Sequence, residues 1–125
     1  MLHNNQLRQL QMESDWQMSN VLGTVVDVKE ICRVAQEKNI ATLIDGSQSS
    51  VHLPINVKEL GCDFFVITGH KLYGPSSSGA LYARKKRHEE MINFMGGGDM
   101  INVVERDLVT YNVSPHRFEA GTPGI

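Results

Sequence analysis

The chain has 125 residues, 41% of them hydrophobic and 21% charged, with a formal net charge of −2. That balance describes about one soluble globular domain and excludes collagen, coiled coil and disordered polymer. A chain this long removes roughly two thirds of its unfolded surface from water, enough for one core and little more, so any large multidomain enzyme would be represented here only in part.

The first sixteen residues carry Gln at 6, 9 and 11 and Asn at 4 and 5. They show no sustained period and are expected to be a divergent N-terminal tail or frayed helix. They also lack a charged and then apolar leader. From residue 18 the pattern sharpens. Val28, Ile31, Cys32 and Ala35 recur at helical spacing with Lys29, Glu30, Arg33 and Glu37 opposite, which predicts an amphipathic helix capped by Asp27 and ending near Lys38. Residues 40–44 (IATLI) form a short apolar run suited to a strand buried on both faces, with Asp45 at its C-terminal end.

Pro54 interrupts the next stretch, and residues 56–60 read as a helical turn or two stopped by Gly61. A second buried strand is expected over 64–67 (FFVI), running into Thr68, Gly69, His70 and Lys71. Residues 74–79 (GPSSSG) make a turn rich in backbone N–H groups suited to an anion, followed by a third strand over 80–83. A helix around 85–94 and a weak strand near 108–111 complete the reading. The basic run 84–88 is followed at once by Glu89 and Glu90, a solvated helix face. A pI near 6.2 adds no general attraction to nucleic acid.

Strand, helix, strand, helix, strand predicts an α/β fold, a mainly parallel sheet flanked by helices. Ligands in such sheets bind beyond the carboxyl ends of the strands. If the two buried strands are neighbours, Asp45 and Lys71 face one crevice. A lysine in that position is able to form an imine, although a plain surface lysine is the alternative for Lys71.

Five motifs occur in order: residues 19–23 (SNVLG), 45–48 (DGSQ), 68–75 (TGHKLYGP), 96–101 (GGGDMI) and 117–123 (RFEAGTP). Together they resemble the SUF-type (group II) cysteine desulfurases of the class V aminotransferase superfamily. The resemblance covers roughly residues 18–124 and implies that residues 17–125 are part of the large, pyridoxal-phosphate-binding domain of a fold-type I transferase. It implies that Lys71 forms the internal aldimine with pyridoxal 5′-phosphate and that Asp45 pairs with the pyridine nitrogen. Gln48 is then the donor to the phenolic oxygen, with Asn20 nearby, while Thr68 and His70 hold the phosphate. Thr122 reaches the phosphate of the partner subunit's cofactor in a homodimer. For Asn20 and Gln48 the residues themselves leave turn capping open, and for Thr68 and His70 an exposed polar turn.

The implied activity is removal of sulfur from L-cysteine, giving L-alanine and an enzyme persulfide for iron–sulfur cluster assembly, with a sulfur-acceptor protein as a further partner. The nucleophilic cysteine and the carboxylate-binding arginine of that family match no residue here. Cys32 lies on an apolar helix stripe and Cys62 precedes a buried strand, so both read as structural thiols, and a cytoplasmic location is expected. His52, His88 and His116 match none of the family's roles. The poor strand material before Ser19 suggests an aberrant start, as though a reading frame had been cut from a longer enzyme. Alternatives stay open: a noncatalytic truncated fragment, a selenocysteine lyase, or another class V enzyme.

Overall fold

In a computed structural model, residues 12–122 are described. They divide into two compact units, broken between Arg84 and Lys85.

The first unit is an α/β layer. Strands β1 (Met12–Trp16), β2 (Ala41–Asp45), β3 (Phe64–Thr68) and β4 (Gly79–Ala83) lie side by side in that order. β1, β2 and β3 run parallel, and β4 is antiparallel to β3. Helix α1 (Val28–Glu37) forms because Val28, Cys32 and Ala35 share a buried stripe and the Asp27 carboxylate accepts the Glu30 N–H at 3.1 Å. Short helices α2 (Ser49–His52) and α3 (Val57–Leu60) follow β2. The side chain of Asn56 caps α3, and Gly61 ends it at φ 74°, a left-handed conformation that glycine adopts without a Cβ penalty.

The core is a cluster of Val28, Cys32, Ile44, Cys62 and Phe65, with Val26, Ile55, Val57, Leu60, Ile67 and Tyr82 packed around it. The buried Asp63 carboxylate accepts the Thr42 N–H at 3.0 Å, and the Asp63 N–H reaches Thr42 Oγ1 at 3.2 Å. Two otherwise costly buried polar groups are thereby satisfied at the start of the parallel pair.

The second unit holds helix α4 (Lys85–Glu90) and an antiparallel ribbon of β5 (Ile101–Val104) and β6 (Val109–Tyr111). Met100 is its one buried residue among those described. Polar clasps do most of the joining. Asn93 donates to the Arg117 carbonyl at 2.8 Å and accepts from Arg117 Nε and Nη2 at 3.0 and 2.8 Å. The Gly121 N–H reaches the Gly98 carbonyl at 3.0 Å.

The elements expected over 28–37, 40–44, 56–60, 64–67 and 80–83 are present within a residue or two, and the sheet is mainly parallel with helices packed on it. Four features differ. Residues 12–16, expected to be tail, form β1, paired residue for residue with β2 from Met12↔Ala41 to Trp16↔Asp45. Backbone pairing to a buried neighbour overrides the low strand propensity of Glu13, Ser14 and Asp15, whose side chains stay largely in solvent. Residues 1–11 of that expected tail lie outside the described residues. Helix α2, too short to carry a period, and β5, mostly exposed, were not expected, and α4 stops at Glu90 rather than near Phe94.

Candidate functional site

Because β1, β2 and β3 are parallel and in register, their carboxyl ends open on one side of the first unit. There a cavity of about 420 Å³ is lined by Trp16, Met18, Ser19, Asn20, Asp45, Ser47, Gln48 and Lys71. Four of the seven residues singled out from the sequence, Asn20, Asp45, Gln48 and Lys71, thus share one wall system. They arrive on three segments, Asp45 and Gln48 sharing the turn between β2 and α2.

Asp45 ends β2 with its Oδ1 accepting the Ser47 N–H at 2.8 Å, an Asx turn that fixes the carboxylate and keeps Oδ2 available. The chain can turn so sharply only because residue 46 is glycine. A Cβ there would meet the Phe65 ring at 2.0 Å, and the Gly46 N–H ties back to the Val66 carbonyl at 2.9 Å. Gln48 then reaches the cavity from the start of α2. Asn20 sits on a loop closed by Ser19, whose N–H reaches the Thr24 carbonyl at 2.9 Å and whose hydroxyl accepts the Val21 N–H at 3.2 Å.

Lys71 lies in the 3-10 turn Gly69–Leu72 that leaves β3, half-buried. Residues 75–78 pack beneath this turn. The Gly69 N–H reaches the Ser78 carbonyl at 2.8 Å, the Gly74 N–H reaches the Gly69 carbonyl at 2.8 Å, and Ser78 Oγ donates to the Pro75 carbonyl at 2.8 Å. A Cβ at residue 69 would fall 1.9 Å from Ser78 Oγ, so the GPSSSG segment and Gly69 form a tight floor under the lysine.

Thr68 and His70 directly precede Lys71 in the chain but are not among the cavity's lining residues. His70 is exposed. Thr68 Oγ1 is buried with no hydrogen-bond partner; among the described residues only Ser50 Oγ shares that state. Thr122 belongs to the second unit and is exposed. Trp16, Met18, Ser19 and Ser47 were not singled out from the sequence. Ser19 and Ser47 lie inside the 19–23 and 45–48 motifs, whereas Trp16 and Met18 carry no motif.

Cys32 and Cys62 are fully buried. Burial pushes the Cys62 thiol up from 9.0 to about 11 and raises that of Cys32 as well. Neither offers a thiolate at neutral pH. No helix among the described residues is long and apolar enough to cross a membrane.

The family model of the class V aminotransferases matches residues 12–125, which include the strands that carry Asp45 and Lys71 to the cavity. The chain belongs to the class V aminotransferase family. Within that family it is similar to a probable cysteine desulfurase of Xylella fastidiosa, 48% identical over 124 residues, or 99% of this chain and 30% of the relative. A cysteine desulfurase of Pectobacterium atrosepticum is 49% identical over 86% of this chain and 26% of the relative. Among solved structures, the Escherichia coli cysteine desulfurase CsdA superposes with a TM-score of 0.87 at 38% identity, covering 90% of this chain and 28% of that one. A protein described as SspA in complex with cysteine superposes at 0.65 and 36% identity, over 70% of this chain and 25% of its own. The chain thus spans about 30% or less of the length of these relatives.

Proposed function

We propose that the chain is the cofactor-binding core of a pyridoxal-phosphate-dependent cysteine desulfurase. The observation that carries this reading is that Lys71 and Asp45 line the same cavity from the ends of neighbouring strands. The residues fit the group on three counts. The donor set combines an amine, a carboxylate and two amides. The Asp45 carboxylate is already oriented by Ser47. The buried Thr68 hydroxyl, unpaired at a cost of about 1–3 kcal/mol, gains a partner when an anion such as phosphate arrives.

When bound, the cofactor supplies an electron sink that makes the substrate Cα proton acidic. Asp45 would hold a proton on the ring nitrogen, without which the sink would weaken. Gln48 and Asn20 donate to the ring oxygen, and Thr68 with His70 holds the phosphate. Lys71 Nζ would be the amine that holds the cofactor's aldehyde carbon and, as a free amine, the group that would move the substrate Cα proton. Thr122 serves the phosphate bound to a partner subunit, so the assembly is a homodimer with shared sites.

L-cysteine as substrate is supported by the names of the similar proteins and by the cysteine-bound neighbour. The products are L-alanine and a persulfide, passed to an acceptor protein for iron–sulfur assembly in the cytoplasm. Selenocysteine is the alternative substrate. The persulfide needs a thiolate that the buried Cys32 and Cys62 do not provide, so we place it outside these 125 residues. That same observation favours a second reading for the isolated chain, cofactor binding without turnover.

The test is cofactor binding by Asp45→Ala and Lys71→Ala chains, with L-cysteine then added to the loaded wild type and alanine and sulfide measured. Lys71→Ala is expected to lose covalent attachment entirely. Asp45→Ala is expected to lose substrate Cα hydrogen exchange by a larger factor than cofactor retention. Equal loss of both assigns Asp45 a structural role. Robust sulfide release from wild type refutes the external thiolate.

A further inference from the structure

Behind the cavity wall lies a buried polar bridge. Ser49 Oγ donates to Gln17 Oε1 at 2.7 Å, across 32 residues of sequence, with Ser49 fully buried and Gln17 7% exposed. We infer that this bridge sets the position of the two amides that face the cavity, Gln48 and Asn20, making Gln17 and Ser49 positioning residues of the site. The inference rests on the proposed function only for what those amides contact.

Ser49 is the residue after Gln48, and Gln17 stands three before Asn20. Gln17 is held on both sides by backbone: its N–H reaches the Asp45 carbonyl at 3.1 Å and its carbonyl accepts the Val26 N–H at 2.9 Å, which closes the base of the loop carrying Asn20. Ser49 also leans on the Gly46 carbonyl at 3.4 Å, inside the turn that orients Asp45. One hydroxyl proton therefore joins the loop of Asn20 to the turn of Asp45, Ser47 and Gln48. A directional bond in a dry setting fixes a separation and an angle, where apolar contact of the same size fixes neither.

Truncation leaves a buried acceptor unpaired. The Gln17 amide then swings toward water or another donor and takes the loop with it. Replacing both partners by apolar groups of similar volume removes that penalty without restoring the directional link. The pair of variants therefore separates positioning from plain stability.

The experiment uses the chain loaded with pyridoxal phosphate, comparing wild type, Ser49→Ala and the double variant Gln17→Leu with Ser49→Ala. Three quantities are read: melting temperature, cofactor dissociation constant and the pH midpoint of the bound cofactor's absorbance. Ser49→Ala is expected to lower the melting temperature, weaken cofactor binding by about tenfold and move the pH midpoint. The double variant is expected to regain most of the melting temperature while affinity and midpoint stay displaced. Recovery of all three in the double variant overturns the inference, as does an unchanged midpoint in both.

A wild type that forms no reducible adduct at Lys71 defeats the proposed function and not the bridge. The side-chain amide NMR signals of Asn20 and Gln48 in the cofactor-free chain then decide: displacement in both variants supports positioning, and unchanged signals refute it.

Discussion

The two units are held together by different means. In residues 12–84 an apolar cluster of Val28, Cys32, Ile44, Cys62 and Phe65 sits between α1 and the central strands, and the turns that carry Asp45, Gln48 and Lys71 hang from strands anchored in it. In residues 85–122 only Met100 is buried, while Ile92, Phe94 and Val113 are 87%, 94% and 78% exposed. There, Asn93–Arg117 and Gly98–Gly121 contacts do the joining. A cavity whose walls hang from a packed core is preorganised. A segment clasped by a few part-buried hydrogen bonds, with one buried side chain, opens at lower free energy.

The sharpest way to break this contrast is inside the first unit. Phe65→Ala removes a core ring and the surface on which Gly46 turns, with an expected loss of about 3–5 kcal/mol in denaturant unfolding. The Asp45 turn goes with it, so cofactor binding falls in parallel. A change below 1 kcal/mol would show that the cluster does not carry the layer. In the second unit Asn93→Ala removes the partner of Arg117 and is expected to cost about 1–3 kcal/mol locally. Faster hydrogen exchange at the Arg117 and Gly121 amides, with the exchange of β2 and β3 unchanged, is the expected pattern. Equal acceleration in both units would erase the distinction.

The core thiols add a pH test. Cys62 keeps its proton in the folded state up to about 11, against 9.0 for an ordinary thiol. Its contribution is complete below pH 9 and falls away as pH rises toward 11, because the unfolded chain releases the proton first. The expected loss of up to about 2 kcal/mol over that window is reduced in Cys62→Ala, with the Cys32 thiol, also raised by burial, supplying what remains. A flat profile in wild type contradicts the burial argument. The smallest effect belongs to Arg33→Ala, which removes exposed ion pairs with Glu30 and Glu37 on the solvent face of α1 and leaves the melting temperature where it was.

Much of the first unit was legible because its signals are the ones burial writes into sequence. The 28–35 stripe and the apolar runs before Asp45 and Thr68 each state a period or a buried face. The pairing of Asp45 with Lys71 required only that two consecutive buried strands be neighbours. β1 was not legible: Glu13, Ser14 and Asp15 contribute backbone pairing and little side-chain burial, and pairing leaves no trace in residue type. The Gln17–Ser49 bridge was hidden for a related reason, since two lone polar residues 32 apart carry no pattern until the fold encloses them. β5 and β6 lack a buried face, and the Asn93–Arg117 clasp joins residues whose types alone suggest solvent.

The account turns on where one covalent bond forms. The chain incubated with pyridoxal phosphate, reduced with borohydride and mapped by peptide mass spectrometry is predicted to carry a single pyridoxyl group, on Lys71, which is lost in Lys71→Ala. Labelling spread over surface lysines such as Lys29, Lys58 and Lys86, or persisting in Lys71→Ala, would contradict it.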